Sequence, residues 1–242
     1  MRVVASALLL VAFVLAASQR SVVATADALE GSAAPTADAR AMDEMLRGSV
    51  GRERRWMQRP NLVVVTTVMA FEDGARSDFT TVDAQLSDEE ATALVADLTA
   101  GLEVMSGGTF KRFGSVRFES PAVASRVRVV RNGDIVVGRF RGVRDSLKAV
   151  GYGGRTARAN GTITGGTVML DEDYDQSTQQ PRLLRMHELG HALGFNHVDS
   201  LRSVMNPTIG TEPTDFDRRA ARIAFSHITP DRAARTVLAR AD

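Results

Sequence analysis

Hydrophobic and polar positions recur along this chain with periods that change from segment to segment, and the changes mark out its elements. Residues 62–71 are an apolar, β-branched run, which predicts a central strand covered on both faces. Ser87 and Glu90 form a capping-box pattern; Ala91, Leu94, Val95, Leu98, Leu102 and Met105 then keep helical spacing until Gly107-Gly108 stop it. One face of that helix is apolar and should pack on the sheet. Residues 116–118 predict a short strand, and 127–130 with 135–140 predict a hairpin about Asn132-Gly133, a type I′ turn signal. The glycine-rich segment 151–166 matches neither phosphate-loop pattern and predicts a mobile loop, followed by a strand at 167–170. Pro181 starts a helix where its missing N–H costs nothing, with Leu183, Leu184, Met186, Leu189 and Leu193 on the buried side. A last helix is capped by Thr214 or Asp215 and turns Phe216, Ala220, Ile223 and Ala224 inward, and 232–241 add a turn or two more.

The N-terminus has a different pattern. Arg2 precedes the apolar run 3–17, and small residues then offer cleavage after Ser18 or, by the Ala24-x-Ala26 pattern, after Ala26. The run is short for a membrane span. Residues 1–26 are therefore expected to be a signal peptide, with an uncleaved anchor as the alternative, the protein secreted or periplasmic, and no stable membrane insertion to follow cleavage. Residues 27–55 are rich in Ala, Ser and charge without a sustained apolar period, which predicts a linker or short propeptide. Within it, Arg52-Glu53-Arg54-Arg55 is either a solvated charge run or a processing site. What remains, 56–242, is one domain's worth of chain, large enough to bury its own core.

Composition narrows the chemistry by exclusion. There is no cysteine, so disulfides, thiolate metal ligands and a cysteine nucleophile are all ruled out. A formal net charge of +1 gives no pull toward nucleic acid, and a monomer is the default. Three of the four histidines fall in one eleven-residue stretch, His187-Glu188-Leu189-Gly190-His191-Ala192-Leu193-Gly194-Phe195-Asn196-His197. His187 and His191 are four apart, which on a helix sets their rings one turn apart on one face, a spacing that suits two ligands of one ion. Glu188 follows on the same turn, where a carboxylate can take a proton from water at the metal without binding the metal itself. Gly194 stands where a helix commonly ends in a left-handed residue, so the chain can turn sharply and bring His197 back to the same ion. Three nitrogen ligands with a fourth position open is the catalytic zinc pattern, not the structural one.

This elongated motif, with Ser203-Val204-Met205-Asn206-Pro207 after it, resembles that of the metzincin zinc endopeptidases, in which a methionine turn follows the third histidine. The resemblance implies that Met205 is the family's methionine beneath the metal. It implies an α+β, metzincin-like zincin fold: a twisted mixed β-sheet with two main helices and a small, irregular C-terminal subdomain ending in a helix. The subdomains would be 56–197 and 198–242. It also implies that part of 163–170, the strand before the active-site helix, rims the cleft and pairs with an extended protein or peptide substrate.

Three departures leave the subfamily open. Asn206 stands where some metzincins carry a zinc-binding tyrosine; the one remaining histidine, His227, cannot build a second, structural zinc site and is expected in packing or at the surface; and Val198 lacks the residue type that labels familiar subfamilies. Asp199 either anchors the turn or is exposed. Asp171, Asp173 and Asp175 alternate as at the start of a calcium loop, but Gln176 replaces the turn glycine and Arg182 the bidentate glutamate. That leaves calcium in a site of another shape as an alternative to a solvated loop. The function expected is an exported zinc endopeptidase with one catalytic Zn2+ and Glu188 as general base. The alternatives are a secreted zinc-containing binding module without turnover and a zinc amidohydrolase acting on a non-peptide amide.

Overall fold

The computed structural model of the protein describes residues 35–72, 74 and 77–228. The expected signal peptide with its cleavage sites and the segment 232–241 lie outside these residues. In chain order the elements are α1 (Ala37–Arg47), β1 (Asn61–Ala70), β2 (Asp78–Gln85), α2 (Asp88–Met105), β3 (Val116–Glu119), β4 (Arg126–Arg128), β5 (Asp134–Arg141), α3 (Val143–Leu147), β6 (Gly151–Ala157), β7 (Ile163–Asp171), α4 (Glu172–Ser177), α5 (Pro181–Leu193) and α6 (Asp215–Phe225).

The sheet runs β4-β2-β1-β5-β7-β6, with β3 beside β1. β1 is parallel to β3 and β5, and β5 to β7, whereas β1–β2, β2–β4 and β6–β7 are antiparallel, so the sheet is mixed. β1 is apolar throughout because both its faces are covered. Leu62, Val64 and Val68 join a core with α2 and α5, while Val63, Val65 and Met69 join a second layer with Phe79, Val136 and Phe140. The capping box of α2 is present as its sequence foretells, Ser87 accepting from the Glu90 N–H and Glu90 from the Ser87 N–H. α2 lies across α5 at Gly101, where a Cβ would already stand 3.3 Å from Leu189 Cδ2.

Several expectations are corrected. Gly133 does turn the chain, at φ 82°, but the strands on either side part company. β4 pairs with β2, and β5 runs between β1 and β7. The nearly all-buried β5 belongs in the middle of a sheet, whereas the half-polar β4 suits an edge offered by β2, a strand its own polar alternation had hidden. The glycine-rich segment 151–166 is no mobile loop but the β6–β7 hairpin. Residues 37–47, within the segment read as a linker or short propeptide without an apolar period, form α1, capped by Thr36 and burying Ala41, Met45 and Leu46 in the main core. Its apolar face is only two turns long, too short to show as a period between charged residues. In α6, Ala221 and Phe225 are buried while Ile223 is exposed.

Charge organises the layer beneath α5. Asp175, fully buried, accepts from Arg139 Nε at 2.9 Å and from Arg185 Nε and Nη2 at 2.8 and 2.9 Å. Arg139 continues to Glu90 and Arg185 to Asp97, so one network joins α2, β5, α4 and α5. The Arg139 guanidinium, and after it the Ser87 N–H, hold the Glu90 carboxyl down to about 2 from an ordinary 4.5. A depressed folded value means stability that is present above pH 4.5 and lost as pH falls toward 2. Glu90→Gln is therefore expected to be less stable than the parent at pH 7, with the gap closing in acid; urea titrations across that range check this, and a pH-independent gap contradicts it.

Candidate active site

Helix α5 starts on Pro181 and runs to Leu193, and His187 and His191 project from it one turn apart. Gly194 ends it at φ 122°, and a Cβ there would strike the Arg54 carbonyl, so glycine is demanded twice over. The Phe195 N–H donates back to the Gly190 carbonyl at 3.0 Å, the chain reverses, and His197 returns to the other two rings. His197 Nε2 lies 3.2 Å from His187 Nε2 and 3.0 Å from His191 Nε2. The rings grade from buried His187 through His191 to exposed His197, so the cluster opens to solvent on one side.

Hydrogen bonding fixes the tautomers of two of the rings. His187 Nδ1 sits 2.8 Å from the Val204 carbonyl and His191 Nδ1 3.0 Å from the Phe195 carbonyl. A carbonyl only accepts, so both Nδ1 atoms carry the proton and both Nε2 lone pairs face the third ring. Burial first of all pushes His187 down to about 4 and His191 down to about 3, and His197 is lowered as well, so the rings are neutral at pH 7. Neutral imidazoles with lone pairs aimed at one point are a donor set for a cation. Zinc–nitrogen bonds of about 2.0–2.1 Å in a tetrahedron need nitrogens about 3.3–3.4 Å apart, close to what the rings present. The three histidines could hold one metal ion, and their donor atoms fit zinc.

Against α5, Met205 is fully buried, and a Cβ on Gly190 would meet its Sδ at 2.5 Å. Its turn is held in part by a residue the sequence did not single out. Asp217 of α6, fully buried, accepts from the Val204 N–H at 3.1 Å and from the Ser203 hydroxyl, while also completing the capping box with Thr214. Val204 in turn offers its carbonyl to His187, so the carboxylate anchors the residue whose carbonyl orients that ring. The capping-box spacing was the only signal that could have pointed to Asp217. Asn206 donates to the Leu201 carbonyl at 2.8 Å and accepts from the Ser203 N–H, so it closes the turn with its amide.

Glu188 is buried between α5 and β6, and burial pushes its carboxyl up to about 8 against the opposing Gly153 N–H. β6 comes this close because the residues it turns toward α5 include glycines. A Cβ on Gly151 would stand 2.6 Å from Glu188 Oε1, and one on Gly153 the same distance from His191 Cβ. The expectation that 163–170 rims the cleft is corrected here: β7 is hydrogen-bonded on both sides, to β5 and β6, and the outer strand next to α5 is β6. Of the acidic run, Asp171 faces Arg144, Glu172 faces Arg141, and Asp175 lies in the buried network, which leaves Asp173 exposed. Asp199 is exposed, and His227 hydrogen-bonds to the Trp56 carbonyl, outside the three-ring cluster.

A mixed sheet against two long helices, three imidazoles converging at the end of one of them and a buried methionine turn are features shared with the metzincins, zinc-dependent metalloendopeptidases. More particularly, the family profile that matches the chain is matrixin, over residues 123–221, from before β4 into α6 and across all three rings. No curated protein gives a significant match to the chain. The close seating of β6 generates a prediction. Gly153→Ala should destabilise the protein by about 1–3 kcal/mol, as overpacking does, because neither backbone can yield; calorimetry showing parental stability would contradict this.

Proposed function

We propose that the protein is an exported endopeptidase in which His187, His191 and His197 hold one catalytic zinc ion and Glu188 is the general base. The observation that carries the proposal is the convergence of three neutral imidazole nitrogens next to a buried carboxylate. Zinc bound there would supply a Lewis acid that polarises the scissile carbonyl and lowers the pKa of water toward ~7. The chain's own groups do the rest. Glu188 takes a proton from the attacking water and passes it to the leaving amine, a task that calls for a carboxyl able to hold and release a proton near neutral pH. Burial between α5 and β6 favours that behaviour. Met205 gives the rings an apolar floor and takes no part in the chemistry.

The outer edge of β6 is free of a strand partner among the described residues and runs along α5, so an extended peptide can lie beside it through backbone hydrogen bonds. Such pairing holds many sequences alike. Export fits the apolar run 3–17 and its small-residue cleavage patterns, and N-terminal sequencing of the secreted product would read the site directly. No helix of the described residues is long and apolar enough to cross a membrane.

Glu188→Ala is expected to keep zinc and to lose casein cleavage by about 100-fold or more, the range in which general acid–base catalysis contributes. Undiminished cleavage by that variant would refute the assignment of the base. A zinc-loaded parent that leaves casein and small peptides intact would favour a binding module without turnover.

A further inference from the structure

Along β6 the alternate residues Gly151, Gly153 and Arg155 turn toward α5. The first two have no side chain, and the third places a guanidinium at the C-terminal end of that helix. Arg155 Nη1 donates to the His191 carbonyl at 3.0 Å and to the Phe195 carbonyl at 3.3 Å, and Nη2 donates to Asn196 Oδ1 at 2.7 Å. No carboxylate among the described residues pairs with it. Its partners are instead the His191 carbonyl in the last turn of α5, the Phe195 carbonyl just past it and the Asn196 side chain, at a helix end where the macrodipole is negative and a cation is stabilised.

Each of these acceptors bears on one of the rings. The Phe195 carbonyl is the one that receives His191 Nδ1–H. Asn196 is the residue immediately before His197, and its own N–H and Nδ2 both donate to the Met45 carbonyl at the end of α1, at 2.9 and 3.1 Å. Asn196 is thus held from one side by α1 and from the other by Arg155, and Gly48 makes room for it, since a Cβ there would stand 2.8 Å from Asn196 Cγ. One guanidinium secures both the carbonyl that orients the second ring and the side chain that sets the start of the third.

We propose that Arg155 is a positioning residue of the zinc centre, acting through the Phe195 carbonyl and Asn196 to fix His191 and His197. The inference rests on the peptidase reading of the site. It also explains how α1, far from the chemistry in sequence, contributes to it: the Met45 carbonyl is the fixed point against which Arg155 holds Asn196.

The test compares Arg155→Met and Arg155→Lys with the parent, in chains shown by circular dichroism to be folded. Zinc affinity is measured by competition with a chromogenic chelator, the His191 tautomer by nitrogen-15 NMR of the metal-free protein, and kcat and KM on a casein-derived peptide at saturating zinc. Arg155→Met is expected to bind zinc about 10–100-fold more weakly, the usual cost of losing a group that orients a ligand. It should also lose the Nδ1–H signature of His191 and lower kcat with KM little changed. Arg155→Lys, which keeps the charge but reaches fewer acceptors, should recover part of the affinity. Should Arg155→Met not fold, Asn196→Ala removes the acceptor next to His197 and is expected to weaken zinc binding in the same way. Parental zinc affinity together with a parental His191 signal in a folded variant would overturn the inference and leave the peptidase reading standing. A parent that takes up no zinc would sink the peptidase reading and with it the role at a zinc centre, even where the His191 tautomer still responds to Arg155→Met and shows that Arg155 orients that ring.

Discussion

Three imidazole Nε2 atoms converge on one point, two of them with their lone pairs turned inward, and the surrounding structure holds them in that arrangement. The helix sets two of the rings, the glycine turn returns the third, and backbone carbonyls claim the outward-facing Nδ1 protons, so that the inward nitrogens have nothing left to donate. Each carbonyl is itself pinned. Val204 is tied through its N–H to Asp217, and Phe195 lies against Arg155. Such a site gives up local stability for a donor set already in place, and the cost is offset elsewhere, in the buried Asp175 network and in the two apolar layers around β1.

Close approach is the second constraint. The edge strand lies directly on α5 and so buries Glu188, and glycines at 151 and 153 allow that contact. The same closeness lets a side chain two residues further along, Arg155, reach the end of the helix instead of solvent. Strand, helix and turn are therefore one unit, and a change on β6 should be felt at the rings.

Much of this was legible in the sequence, and the reasons differ by element. β1, α2 and α5 could be read because burial on both faces, a capping box and a proline start each leave a local signature. The motif from His187 to His197 could be read because i,i+4 spacing and a helix-ending glycine fix geometry within eleven residues. The hairpin at Asn132-Gly133 misled, because turn chemistry specifies the turn but not which strands pair beyond it. β6 was missed because glycines that permit close packing look the same as glycines that permit motion. α1 was missed because two turns of apolar spacing carry too little pattern, and Arg155 and Asp217 because their roles exist only once distant segments meet.

The central claim is that His187, His191 and His197 together bind one zinc ion and leave a coordination position for water. Zinc K-edge X-ray absorption of the purified mature protein tests this most directly. The account predicts one zinc per chain, three imidazole nitrogens at about 2.0–2.1 Å and one further light-atom ligand. Protein that is folded and supplied with excess zinc, yet holds none or binds it through fewer than three imidazoles, would contradict it.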